Sequence, residues 1–309
     1  MIRMIVKRLL VGLFVMWGAA SLIFLIVRAA PGDPASVLLG PDADREQIRQ
    51  LHETLGLDRP MYEQYAAYLG DVLRLDFGES HRLGRPAMDA VFERLPATVE
   101  LTLTATTIAV VAGLLLGLVA GARPGGRTDR AVSAVTIALQ SFPTFWVGIM
   151  GVLLFALTLG VLPSSGVGTP QHMVLPAVTM ALPFIAIVAR LARSSVTETM
   201  REPYVVTARS KGLTEPQILV GHALRNSLVP VVTIVGLQMG ALLGGAVIVE
   251  NVFAWPGLGS LVVDAVANRD YAVVQGVTLL IAGAVTVLNL AADLLCAQLD
   301  PRIRMEAAA

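Results

Sequence analysis

Apolar residues run along this chain in stretches long enough to cross a bilayer, separated by shorter polar segments. The runs lie at about Leu9–Val27, Thr98–Gly121, Ala131–Val161, Met173–Leu191, Leu228–Val249 and Tyr271–Gln298. A helix of about 20 predominantly apolar residues spans a hydrocarbon core, so six transmembrane helices are predicted. Arg3, Lys7 and Arg8 precede the first run, whose length is that of a span rather than a cleaved signal, so a retained helix is expected. Pro143 interrupts the third run, and Pro176 and Pro183 stand near one face of the fourth. The carbonyls that these prolines free must face protein or water, because lipid cannot satisfy them. Gly113, Gly117 and Gly121, and again Gly236, Gly240 and Gly244, recur at four-residue spacing. Such rows let helix backbones approach closely in lipid, and packing is their expected role.

Two polar segments stand out. Pro31 to Pro96 holds twelve Asp and Glu against seven Arg, and its apolar residues recur at helical spacing over Gln47–Leu57 and Tyr62–Leu75. A small helical extracytoplasmic cap with a solvated acidic face is predicted. The second segment, Arg201 to Pro230, carries Pro203 where a first helical turn tolerates it and Gly212 where that helix would end. Thr214 is a suitable N-cap for a second helix with Pro216 and Gln217 in its first turn. Two short helices meeting at a glycine bend make a stiff, protruding knob. Lys and Arg fix the orientation: three precede the first span, three lie at 122–130, six at 190–227 and two after Asp300, whereas the short loops of the other side hold only Arg269. By the positive-inside rule both termini and the knob are expected in the cytoplasm.

Composition then excludes several classes. Of 309 residues 55% are hydrophobic and only 15% charged, with mean hydropathy +0.70, which marks an all-α polytopic membrane protein. A formal net charge of zero argues against a nucleic-acid partner. The single cysteine, Cys296, excludes a disulfide within the chain. Leu243-Gly-Gly-Ala has glycines but no lysine, so no phosphate-binding loop exists. His52, His81, His172 and His222 are scattered, no metal set is expected, and no catalytic residues can be named. If the chain pumps, the energy enters from a separate ATPase. Gln140, Ser141, Gln238 and Asn289 are candidate pathway groups or interhelical hydrogen-bond partners. Asp293, one turn after Asn289, is expected to form an ion pair with Arg190 or Arg193 near the inner surface. At the outer mouth, Phe253 and Trp255 stand among Glu250, Pro256 and Gly257, and apolar groups that large at a wet surface call for a cover, either the interfacial belt of the membrane or a partner protein.

Tyr204-Val-Val-Thr-Ala-Arg-Ser-Lys-Gly-Leu213, followed by His222-Ala-Leu-Arg-Asn-Ser-Leu-Val-Pro230, resembles the coupling loop of dipeptide/oligopeptide ABC-importer permeases. The resemblance extends through Gly32-Asp-Pro34, Gly56-Leu-Asp-Arg-Pro60, Ser141-Phe-Pro143, Glu250 to Gly259 and Asp300-Pro-Arg-Ile-Arg304, and thus over nearly the whole chain. Against the wider importer pattern Glu-Ala-Ala-x3-Gly, Ala208 and Gly212 match, while Val206 and Thr207 replace the Glu and the first Ala.

The resemblance implies a type I ABC-importer permease fold. It divides into an N-terminal helix at 1–30, a cap at 31–97, a five-helix core at 98–299 with its coupling loop at 201–227, and a tail at 300–309. It also implies coupling to an ATPase through Tyr204, Thr207, Ala208, Arg209, Lys211, Gly212, Leu213 and His222. Contact with an extracytoplasmic binding protein would fall to Asp42, Asp44, Glu46, Glu250, Phe253, Trp255 and Pro256. The implied partners are a second, similar permease, two ATPase subunits or domains carrying ATP and Mg, and the binding protein, in a bacterial cytoplasmic membrane. No cofactor is expected on this chain. The substrate stays open among dipeptide, oligopeptide, glutathione and nickel. The alternative from another class, a secondary transporter or channel, calls for an inverted repeat and broken midplane helices.

Overall fold

The computed structural model describes residues 2–29, 44–55 and 58–299. Asp42 lies outside the described residues, as does the side chain of Asp293. The first long helix is α1 (Ile2–Ala29), followed by α2 (Arg45–Leu55), α3 (Met61–Arg74) and a two-stranded antiparallel hairpin, β1 (Glu79–Ser80) with β2 (Arg85–Pro86). Next come α4 (Ala87–Ala122), α5 (Arg127–Ser141), α6 (Thr144–Gly151) with a π-helical continuation over Val152–Thr158, and α7 (Pro170–Thr199). The short helices α8 (Pro203–Ser210) and α9 (Glu215–Ile218) lead through a π-helical segment, Leu219–Leu224, into α10 (Arg225–Val252). A short α11 (Leu258–Ala267) and the long α12 (Tyr271–Leu299) complete the described chain.

The core contact is between α4 and α7. Along α4 the buried positions Leu101, Ala105, Ala109, Gly113, Gly117 and Gly121 repeat every four residues and form one stripe. A Cβ on Gly113 would stand 2.6 Å from that of Val188, and one on Gly121 would stand 2.7 Å from that of Val196; Gly117 is similarly blocked by Ala192. The predicted packing role of this row is therefore observed. The partners 188, 192 and 196 advance with 113, 117 and 121, so α4 and α7 run parallel. Parallel neighbours require residues 123–169 to carry the chain back across the membrane.

The return segment is not one straight helix. Residues 127–141 and 144–158 are individually helical but bent by 98° at the break. The cause is Pro143, which lacks an N–H and pushes the preceding Phe142 to an extended backbone, φ −98° and ψ 137°. The third predicted span is thus a broken one. Among the described residues five helices are long and apolar enough to be spans, and the bent pair, taken as one, makes a sixth.

Across the bundle α10 and α12 pack antiparallel: Gly236 lies against Ala292, and Gly240 lies against Val285. Gly244 meets nothing within 4 Å, so the second glycine row is a packing row at two positions of three. At the edge, α1 runs antiparallel to α12, with Gly12 on Thr286 and Met16 on Gly283. Leu13, Phe14, Leu22 and Ile26 of α1 are exposed, as lipid-facing side chains are.

The polar segment between α1 and α4 forms α2, α3 and the hairpin. Phe24 of α1 sits between Tyr65 and Tyr68 of α3, at ring distances of 5.2 and 5.3 Å. The Ser21 and Tyr65 hydroxyls hydrogen-bond at 2.6 Å. Burial, then the neighbouring Tyr65, pushes the Tyr68 phenol up to about 12, so this anchor stays neutral across the physiological range. The buried Asp270 accepts the Ser80 hydroxyl and, at 3.4 Å, the Val273 N–H, which ties the hairpin to the start of α12.

The glycine contact is testable. Gly117→Val places two methyl groups where Ala192 already stands, and overpacking of this kind costs about 1–3 kcal/mol. Its thermal midpoint in detergent should fall by several degrees, while Gly244→Ala should leave that midpoint unchanged.

Candidate functional site

The knob is built from local rules that agree with one another. Pro203 occupies the first turn of α8, and the helix ends where Gly212 takes φ +84°. The Gly212 N–H donates to the Arg209 carbonyl at 2.9 Å and the Leu213 N–H donates to that of Ala208 at 3.2 Å. This paired termination needs a left-handed residue, and glycine adopts that conformation without a Cβ penalty. As expected, Thr214 caps the next helix, its hydroxyl and N–H meeting the Gln217 side chain at 3.0 and 2.9 Å. A feature not foreseen is the fork-to-fork pair of Arg209 and Glu215, at 2.7 and 3.2 Å, which straddles the bend. Beneath it Val205, Ala208 and Ile218 are buried together, with Met200 packed on them. Ala208 therefore supports the knob from inside.

The base of the knob is tied to the membrane helices. The Asn226 amide donates to the Tyr204 hydroxyl at 2.6 Å, and the Tyr204 and His222 rings lie 5.9 Å apart. The outward face exposes Tyr204, Val206, Leu213 and Val220 together with Thr207, Arg209 and Lys211. Apolar side chains of that size on a polar protrusion mark a surface that another protein covers.

The loop between α10 and α11 is arranged differently from the sequence expectation. Glu250, Phe253 and Trp255 are 0%, 1% and 5% exposed, so their assignment as binding-protein contacts is corrected. The loop folds back on its own bundle because the first N–H groups of α11 need acceptors. Glu250 supplies them: its carboxylate accepts the Gly259 N–H at 2.6 Å and the Ser260 N–H at 3.0 Å. It also accepts the Thr98 hydroxyl at 2.6 Å, and Thr98 in turn accepts the Leu258 N–H at 2.8 Å. The Trp255 indole N–H donates to the Ala97 carbonyl at 3.0 Å. Gly257 is required because any side chain there would enter the carboxylate. The Trp255 indole is thus held by α4 about three turns in, and the Phe253 ring lies beside Gly148 of α6. Pro256 remains partly exposed. In the cap, Asp44 and Glu46 are exposed, and Glu46 pairs with Arg49 at 2.7 Å.

The candidate pathway groups divide. Gln238 lines a cavity of about 190 Å³ between α6, α7 and α10, beside Thr144, Met180, Pro183 and Phe184. The Gln140 amide donates to the Pro183 carbonyl at 3.4 Å, which brings it to the rim of that cavity. Ser141 is satisfied by the Ile137 carbonyl of its own helix at 2.9 Å. Asn289 lies elsewhere, in a groove between α12 and α1. Arg193 pairs with a carboxylate on α5. It forms a two-pronged pair with Asp129, one prong at 2.8 Å, and Asp129 also accepts the Gly125 N–H at 2.7 Å. Asp129 and Thr98 were missed because an acid among arginines and a threonine in an apolar run carry no local mark. Among the described residues no group of three His, Cys, Asp or Glu could hold a metal ion.

The described residues supply up to six candidate spans, with a compact knob between the fourth and fifth. The chain belongs to the family described as binding-protein-dependent transport system inner membrane component, whose model matches residues 113–305; the N-terminal model of that system matches residues 1–102. It is 39% identical over 304 residues to the glutathione transport system permease protein GsiC of Escherichia coli strain K12, covering 98% of this chain and 99% of that protein. The same protein of Shigella dysenteriae serotype 1 matches at the same identity and coverage. Among solved structures, the inward-facing MetNI methionine ABC transporter aligns with TM-score 0.56 at 20% identity, covering 69% of this chain and 97% of the matched one. An amino acid ABC transporter solved with histidines aligns at TM-score 0.51 and 18% identity, covering 70% and 94%. The chain is a multi-pass, peptide-type ABC-importer permease subunit of type I fold, without enzymatic activity of its own. The family works with ATPase partners and a substrate-binding protein. The secondary-transporter alternative is set aside.

The buried carboxylate yields a prediction. Glu250→Ala leaves the Gly259 and Ser260 N–H groups and the Thr98 hydroxyl without their acceptor, at about 1–3 kcal/mol for each orphaned group. Thermal unfolding in detergent should show a large loss for this variant. Adding Thr98→Val should cost less than the sum of the two single changes, because both disrupt one network.

Proposed function

We propose that this chain forms one half of a translocation pathway for small peptides, glutathione among them, and that the knob at 203–222 seats in a groove of an ATPase subunit. The carrying observation is the rigidity of the knob: a helix terminator, a capping box and a bidentate ion pair all hold one bend. A loop built so stiffly transmits displacement rather than absorbing it. It joins α7 directly and α10 through the π-helical segment, and these two helices wall the cavity that Gln238 lines. A push on the knob therefore reaches the cavity walls. ATP and Mg belong to the ATPase subunits, and ATP binding there drives the change between inward-open and outward-open bundles.

On this reading a second, related permease completes the pathway as a heterodimer, with Gln140 and Gln238 as its polar groups on this side. Both termini and the knob face the cytoplasm, as the Lys and Arg distribution supports. Asp44 and Glu46 of the cap meet the binding protein. Glutathione is favoured by the name of the relatives aligned over 98% of this chain.

Two measurements in reconstituted vesicles test this reading. Gly212 has nothing within 4 Å, so Gly212→Val creates no clash and acts only through its φ of +84°, at about 1–2 kcal/mol. Abundance should stay near wild type while uptake of labelled glutathione falls at least about tenfold and ATP hydrolysis loses its link to transport. Wild-type coupling in this variant refutes the role of the knob, and uptake of a dipeptide but not glutathione refutes the substrate. Asp44→Asn with Glu46→Gln should weaken binding-protein association at low salt, with the difference shrinking above about 0.15 M.

A further inference from the structure

The helix α3 (Met61–Arg74) has three faces, and the described residues cover only one of them. Tyr65, Tyr68, Leu69 and Val72 are half-buried against α1 and α12. Glu63, Ala67, Gly70 and Arg74, spaced i, i+4, i+7 and i+11, form a face of small and charged residues with Asp71 beside it. Tyr62, Ala66 and Leu73, spaced i, i+4 and i+11, form the third face. It is apolar and open, with Tyr62 72% and Leu73 87% exposed.

The depth of α3 in the bilayer follows from what its first face touches. The apolar stretch of α1 runs from Arg8 to Ala29, and near its C-terminal end Arg28 stands over the Phe24 ring at 5.5 Å. A guanidinium at the end of a span marks the boundary of the hydrocarbon layer. Leu69 and Val72 of α3 pack on a cluster of Ala20, Ile23 and Leu279. Ile23 precedes Arg28 by five residues and Ala20 by eight, which places them about 7.5 and 12 Å into that layer at 1.5 Å per residue. Leu279 follows Tyr271, where the apolar stretch of α12 begins, by eight residues, and so gives the same level from a second helix. The hydrogen bond of the Ser21 and Tyr65 hydroxyls falls in this range too. Side chains as short as Leu and Val reach such a cluster only from a helix lying at the edge of the hydrocarbon layer.

At this level Leu22, Leu25 and Ile26 of α1 are exposed, as side chains bathed in lipid are. The open face of α3 continues that surface. We infer that α3 is an interfacial helix, its Tyr62, Ala66 and Leu73 face resting on the lipid of the leaflet at the C-terminal end of α1, its Glu63, Gly70 and Arg74 face turned to water. Helices of this kind bury their apolar face about 5–10 Å into the boundary of headgroup and acyl chain, a depth that agrees with Ile23. Tyr62 suits that boundary, with an apolar ring and a polar tip. The cap is thereby seated on the membrane as well as on α1 and α12.

Fluorescence quenching tests this on the full chain, with whatever subunits accompany it, in nanodiscs of phosphatidylcholine. In a Cys296→Ser background, Leu73→Cys and Glu63→Cys are each labelled with a small dye. The quenchers are a phosphatidylcholine carrying a nitroxide on its acyl chain and iodide in the water. The nitroxide lipid should quench the dye at position 73 at least about threefold more than the dye at position 63, and iodide should show the reverse order. Thermal midpoints establish that each labelled variant is folded; where one fails, Ala66→Cys and Ala67→Cys take the two places. Equal quenching at the two positions overturns the proposal, as does a dye at position 73 that iodide quenches and the nitroxide lipid does not. Shielding of position 73 from both quenchers also overturns it, by assigning the face to a protein partner.

Discussion

The close approach of α4 and α7 is the constraint on which the rest of the bundle depends. Gly113, Gly117 and Gly121 remove the side chains that would hold the two backbones apart, and Val188, Ala192 and Val196 fill the space they leave. Without a hydrophobic drive between helices in lipid, this close packing is what holds the pair. Because the two helices are parallel, the chain between them must return across the membrane. It does so through α5 and α6, broken at Pro143. The Asp129–Arg193 pair fastens the start of that return to α7.

Each end of the bundle carries a rigid polar device, and α10 reaches both. At its N-terminal end lie the π-helical segment and the knob, where Arg209 and Glu215 close the bend. At its C-terminal end Glu250 gathers the start of α11 and Thr98 of α4 into one buried network. A buried carboxylate is tolerated only when its lone pairs are satisfied, and three donors meet it here. The knob is thus joined to a helix whose far end is locked to α4 and α11. The cavity lined by Gln238 lies between those two ends, against α7. This geometry makes a permease of one chain's helices and leaves the energy source outside them.

What the sequence by itself determined is whatever depends on neighbours in the chain. Span lengths, the cap helices, the Pro203 start, the Gly212 bend and the Thr214 cap were legible because a few adjacent residues set each of them. The glycine rows announced close packing, but not which helix each row would meet, nor that Gly244 would meet none. The tertiary structure alone decided the pairings between residues far apart. Trp255 and Phe253 looked like a surface awaiting a partner, yet the chain supplies the cover itself: Ala97, over 150 positions away, takes the Trp255 indole, and Gly148 lies beside the Phe253 ring. Arg193 found Asp129, 64 positions away, for the same reason. A local pattern states what a side chain needs, an acceptor or an apolar cover. Which of the many groups able to meet that need does so is settled only when packing brings one of them within reach.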